Sequence, residues 1–137
     1  MVVNNVRKTG LAMIRDFKIH ELGHDFMGYH LNEGDIYTYH HLIIANRNGG
    51  PYSRWNGSIL CGLTAHPYLH TIEGIDYDVF CALTTEMIDM NIKGHLDPEN
   101  IKMINDILCC FEKEHCADRG KGGRPLIKEA YTKRVKL

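Results

Sequence analysis

The sequence predicts an α+β fold, and three observations carry that expectation. Residues 36–44, IYTYHHLII, are rich in β-branched and aromatic side chains and read as a strand. Residues 58–63, SILCGL, form a second short apolar run. Residues 76–92 and 98–115 then carry apolar side chains at helical spacing.

Taken in order, residues 10–23 carry Leu11, Ile14 and Leu22 at helical spacing, but Lys18 interrupts the stripe and Phe17 and Ile19 fall off it. NEGD at 32–35 is a turn. The first strand follows, then a loop, ANRNGGPYSRWNG, with Gly-Gly-Pro at its centre. After the second strand, HPYLHTIEG opens a helix with Pro67 at its first position, where a missing amide hydrogen costs least. The next helix carries Phe80, Leu83, Met87 and Ile88 on one face and ends at Gly94. The last has Asp97 as N-cap, Pro98 in its first turn, and a stripe of Ile101, Ile104, Ile107, Leu108 and Phe111. The expected layout is a single domain over 1–137. Residues 1–35 are an N-terminal extension, 36–75 a strand–loop–strand–helix core, 76–116 a helical part, and 117–137 a basic tail. The helices supply the hydrophobic mass that so short a core lacks, and offer a homodimer face.

The net charge of −1 hides an asymmetry: residues 117–137 hold seven Lys/Arg against two Asp/Glu, and the remainder nine against fifteen. Such a tail is either a solvated end or a contact for a phosphate backbone. No stretch approaches 20 consecutive apolar residues, so no membrane span is expected, and MVVNNVRKTG lacks the pattern of a secretory signal. Five cysteines, two of them adjacent and none in a C-x-x-C pair, suit reduced thiols in a cytoplasmic protein.

Nine histidines make a metal site plausible, and two stretches compete for it. In HELGHDFMGYH, His20, Glu21 and His24 fit H-E-x-x-H, in which two histidines one helical turn apart hold zinc beside a glutamate base. The motif resembles that of the metzincin proteases, but Met27 stands where those have a glycine. Only 19 residues precede His20, too few for the sheet that holds a protease substrate. A zinc metalloprotease is the third functional reading.

The second stretch is HHLIIANRNGGPYSRWNGSILCGLTAHPYLH, residues 40–70. It sets a doubled histidine on a strand, Asn56 fifteen residues beyond His41, and His66 and His70 four apart on a helix. This ordered set resembles the HNH, or ββα-metal, endonucleases, most of all the colicin variety with its His-His pair and H-x-x-x-H helix. It is also similar to small HNH-like proteins of bacteria and their phages. The resemblance implies a metal-dependent DNA endonuclease with a ββα-metal core. In it, His41 is the general base and Asn56 braces the loop and orients His41. His40, His66 and His70 hold a divalent metal. Adjacent strand residues face opposite ways, so His40 would need a local twist to join the other ligands. Three imidazoles favour Zn²⁺, Ni²⁺ or Mn²⁺ over Mg²⁺.

DNA is the expected partner, with Arg47 and Arg54 in the loop and Arg119, Lys121 and Arg124 in the tail as phosphate contacts. Trp55, the only tryptophan, either anchors the loop in the core or stacks on a base. The alternative is a catalytically inactive HNH-like scaffold that binds another protein. Such a chain would inhibit or regulate a nucleic-acid enzyme, for instance as a phage anti-defence protein. The acidity of residues 1–116 suits a surface that mimics nucleic acid.

Overall fold

A computed structural model of the chain describes residues 2–3, 7–31, 36–127 and 134–135; the turn expected at 32–35 lies outside them. The fold mixes helix and strand. In chain order the elements are β1 (Val2–Val3), α1 (Arg7–Asp16), α2 (Ile19–Leu22), β2 (Ile36–His41), β3 (Gly57–Cys61), α3 (Ala65–Ile75), α4 (Tyr77–Lys93) and α5 (Pro98–His115). The sheet runs β1-β2-β3, with β1 parallel to β2 and β2 antiparallel to β3. Opposed pairs run from Tyr37–Cys61 to His41–Gly57.

Caps set both ends of α4 and the start of α5. Asp76 accepts the Val79 N–H at 3.2 Å at the head of α4. Gly94, at φ 81°, closes it with an N–H bond to the Met90 carbonyl. Asp97 accepts the Glu99 N–H at 3.0 Å, with Pro98 behind it, and opens α5. Helix α3 starts at Ala65, so Pro67 lies within its first turn rather than at its first position, still among the amides that lack helical acceptors.

Three expectations need correction. The segment 10–23 is two helices, because Lys18 adopts a left-handed φ of 54° between them. That break turns Phe17 and Ile19 into the core and leaves Leu11 and Leu22 exposed. The first strand ends at His41 rather than Ile44, because the Asn56 side chain captures the amides of Ile43 and Ile44. Residues 1–35 do not all lie outside the core: Met13, Ile14, Phe17, Ile19, Phe26, Met27 and Tyr29 belong to the same buried cluster as Leu83, Ile104 and Phe111.

Asp25 ties this N-terminal part to the sheet. Its buried carboxylate accepts N–H bonds from Met27, Tyr29 and Cys61, each at 2.9 Å. Burial pushes its pKa up, and the three donors oppose that by favouring the ionised form.

Candidate metal centre

Strand alternation distributes the side chains of β2. Thr38 and His40 face α3, whereas Tyr39 and His41 pack together on the other face, ring centroids 4.8 Å apart. Helix α3 presents His66 and His70 one turn apart, with centroids 5.0 Å from each other. The His40 ring lies 5.1 Å from that of His66 and 5.5 Å from that of His70. One ligating nitrogen from each of His40, His66 and His70 lies within 4.8 Å of the other two. The expected local twist is not needed, because α3 crosses the face to which His40 already points.

Hydrogen-bond partners fix the ring orientations. The Thr38 hydroxyl donates its one hydrogen to the Leu60 carbonyl at 3.1 Å. Its 2.6 Å contact with His66 Nδ1 therefore takes the hydrogen from the ring, leaving the Nε2 lone pair free. Similarly, His70 Nδ1 donates to Glu73 Oε1 at 3.1 Å. His40 Nδ1 lies 3.4 Å from His66 Nε2, a spacing at which two imidazole nitrogens share either a proton or a cation. His40 is buried, and its Nε2 has no hydrogen-bond partner among the described residues.

The electrostatics disfavour the proton. Burial, and then the neighbouring His66 and His70, hold the His40 pKa well below its ordinary value. Burial, and then His70 and His41, bring that of His66 down to about 4. Two imidazoles held neutral by burial, with a third from His70 beside them, are a donor set that fits a borderline divalent ion. Thr38 and Glu73 supply the outer partners that such ligands use.

His41 and Asn56 define the loop side. His41 is half-buried, its Nε2 lacks a hydrogen-bond partner among the described residues, and burial lowers its pKa against a hydrogen bond to the Gly50 backbone that raises it. Its ring packs edge-on against Tyr39 and, at 4.7 Å, against Tyr52. Asn56 is fully buried. It accepts the amides of Ile43 and Ile44 at 2.9 and 2.8 Å, and donates to the carbonyls of Ile44 and Pro51 at 2.9 and 3.1 Å. It thus braces the loop after His41, with no hydrogen bond to the His41 ring among those of the described residues. Gly57, opposite His41, is obligatory: a Cβ there would lie 2.1 Å from the Tyr39 ring.

His40, His41, His66 and His70 all line one open pocket of about 560 Å³ between the 42–52 loop and the α3–α4 elbow. Arg47, Tyr52, Glu73, Tyr77 and Phe80 complete its chemistry.

The other expected contacts lie elsewhere. Arg54 is ion-paired with Asp16 at 2.5 Å and does not line the pocket, because the turn at Arg54–Asn56 points it towards α1. Trp55 is 52% exposed, so it does not anchor the loop in the core. Arg119, Lys121 and Arg124 are exposed beyond α5 and do not line the pocket either. Within the tail, Arg134 is buried against Glu112 at 2.7 Å and is no phosphate contact in this state.

The H-E-x-x-H stretch does not form a helical site. Helix α2 ends at Leu22, Gly23 turns with φ 77°, and His24 pairs in an extended bridge with His30. His20 Nδ1 instead meets the Tyr37 hydroxyl at 3.3 Å, and His24 Nδ1 the Asp25 carbonyl at 2.8 Å. A second group with metal-compatible spacing, Asp76, Glu114 and His115, is partly exposed. There, Asp76 already caps α4 and His115 is paired with Asp118 at 2.6 Å.

Thr38, Tyr52, Glu73 and Tyr77 are among the pocket residues that sequence reasoning passed over. Two of them carried a signal: Thr38 shares the face of His40 two residues on, and Glu73 follows His70 by three on one helix. Comparison with protein-family models, with curated proteins and with solved structures finds no match to this chain.

Proposed function

We propose that this chain is a metal-dependent endonuclease of the HNH, or ββα-metal, kind that hydrolyses DNA phosphodiester bonds. The convergence of His40, His66 and His70 beside His41 supports this reading more than any other observation. The β2–β3 hairpin followed by α3 is the arrangement that the resemblance to HNH nucleases implies, and the Asn56 brace falls between the strands as expected.

His40, His66 and His70 would hold the ion. When bound, it supplies positive charge against the charge that develops on phosphate during hydrolysis. His41 takes the proton of the attacking water, a role suited to an imidazole that burial keeps neutral at physiological pH. Arg47, on the loop that Asn56 holds, binds a phosphate oxygen and positions the strand. Tyr39 and Tyr52 pack on His41 and limit its swing.

A second reading has one observation in its favour: among the Arg and Lys side chains expected at DNA, only Arg47 lines the pocket. That scarcity suits an HNH-like scaffold that binds a protein partner without cutting.

The deciding experiment is incubation of negatively supercoiled plasmid with purified protein and Zn²⁺, Ni²⁺, Mn²⁺ or Mg²⁺, beside His41→Ala and an EDTA control. Nicking or linearisation that needs metal and disappears in His41→Ala is the expected result. Metal binding without cleavage of any DNA by folded wild type would transfer the argument to the scaffold reading.

A further inference from the structure

We propose that the pocket takes single-stranded nucleic acid, with one base stacked on Tyr77 and the adjoining phosphate between Arg47 and the histidine cluster. This rests on the phosphodiesterase reading and narrows its substrate.

The platform comes first. Tyr77 opens α4 and is 62% exposed, yet its ring stacks on Phe80 at 5.7 Å with 28° between planes. Phe80 in turn sets its edge against His40 at 6.4 Å. A chain of ring contacts, one edge-on and one stacked, thus runs from buried His40 to Tyr77 at the pocket mouth, and Tyr77 is largely open to solvent. Core packing does not require that ring, because Leu83, Met87 and Met90 bury the inner side of α4. Every base has a π-face, so such a platform binds strands without reading sequence.

Charge selects the form of the strand. Arg47 and Tyr77 line the same pocket as the histidine cluster. Arg47 is the one Arg or Lys among the described residues that line the pocket. Duplex binding draws on several phosphate contacts at once, whereas stacking supplies affinity with few. Size agrees: about 560 Å³ is the volume of a small-ligand site. It accommodates a nucleotide step that has left its helix, not the width of a duplex.

The test uses the full-length chain and one fluorescently labelled oligonucleotide sequence in three forms: single-stranded DNA, single-stranded RNA and DNA duplex. Anisotropy in EDTA reads binding, and gel analysis in Mn²⁺ reads cleavage. One or both single strands should bind at least tenfold more tightly than the duplex, and the DNA and RNA arms show which sugar is accepted. Tyr77→Ala should weaken single-strand binding roughly 5- to 100-fold. Tyr77→Phe should retain it, and the exposed position leaves folding intact, checked by thermal melts. The salt slope should be about −0.7, as for one phosphate contact. Duplex bound as tightly as single strands, or Tyr77→Ala binding like wild type, would overturn the proposal. So would a failure of both single strands to bind while the cluster still takes Zn²⁺. Tyr77-dependent strand binding by a protein whose histidines take no metal would uphold it and reject the phosphodiesterase reading alone.

Discussion

The Thr38 hydroxyl lies 2.6 Å from His66 Nδ1 and already donates to the Leu60 carbonyl, so it can only accept from the ring. One strand residue thereby decides which nitrogen of a helical histidine faces the cluster. Thr38→Val keeps the shape and removes the acceptor, so the His66 tautomer is no longer fixed. Zinc affinity measured by calorimetry should fall about 10- to 100-fold, the usual cost of losing an outer partner of a metal ligand. Thr38→Ser should restore it, because the hydroxyl alone carries the effect. Equal affinity in wild type and Thr38→Val would remove the orienting role.

Asn56 holds four backbone groups of the loop that carries Arg47 and borders His41. Asn56→Ala removes its bonds to those amides and carbonyls, and should cost about 2–4 kcal/mol, summing over several lost bonds of roughly 1 kcal/mol each. Asn56→Asp retains the acceptor for Ile43 and Ile44 but cannot donate when ionised, so it should fall between. Denaturant midpoints read the stability. Amide exchange at Ile43 and Ile44 should rise before that of β3, since those amides depend on this side chain.

Much of this was legible from residue type and order. The caps at Asp97 and Gly94 act locally, so a few residues suffice to place them. The four pocket histidines could be named through the resemblance to the HNH pattern, whereas strand alternation alone set His40 apart from His41 without showing that α3 would cross its face. The role of Glu73 was within reach by helical periodicity. What the pattern hid was long-range. That Arg54 would turn to Asp16 depends on α1 packing beside the second turn, and no local signal near residue 54 reports it. For Trp55 the sequence left a core anchor and a base-stacking ring open, and at 52% exposure it is not the core anchor. The H-E-x-x-H letters look helical until Gly23, whose left-handed φ separates His20 from His24. The Asp25 staple spans 36 residues to Cys61 and has no signature in either segment.

The metal-free protein should lose stability as pH falls from about 6.5 towards 4. Folding keeps His40 and His66 neutral, His66 down to about 4, whereas in the unfolded chain both take up protons near the ordinary histidine value. The unfolded state therefore binds more protons in this window, and unfolding becomes easier as acid is added. Above the ordinary value both states are neutral and these groups contribute no slope. Thermal melts from pH 7.5 to 4, in wild type and in His40→Phe, check this. The variant should show a shallower decline, and identical slopes would assign the acid sensitivity to other groups.

Arg134 joins the end of the chain to α5 through a bidentate pair with Glu112, at 2.9 and 2.7 Å, to which Tyr68 also donates. Both charged side chains are largely shielded, so removing one strands the other. Arg134→Ala should destabilise the fold by about 3–5 kcal/mol. The paired change Arg134→Met with Glu112→Met should cost less, because no lone charge remains buried. Chemical denaturation of the three proteins measures the difference, and additivity of the two single changes would show that the pair is not coupled.

The two histidine-rich stretches make opposite demands on a single titration. If the cluster of β2 and α3 holds the ion, His70→Ala removes one of three ligands and should lower zinc affinity by tenfold or more, on the order of the loss seen when metal sites are disturbed. His70 is solvent-exposed, so the change should leave the melting curve of the metal-free protein nearly unmoved. His20→Ala should leave zinc affinity as it is. His20 meets only Tyr37 in the described geometry, and the end of α2 at Leu22 keeps His24 off its helical face. Calorimetric titration of wild type, His70→Ala and His20→Ala with Zn²⁺ separates the cases. Loss of binding in His20→Ala with retention in His70→Ala would return the metal to the HELGH stretch and the chemistry to a protease, because only that pattern requires the segment to refold around an ion as a continuous helix.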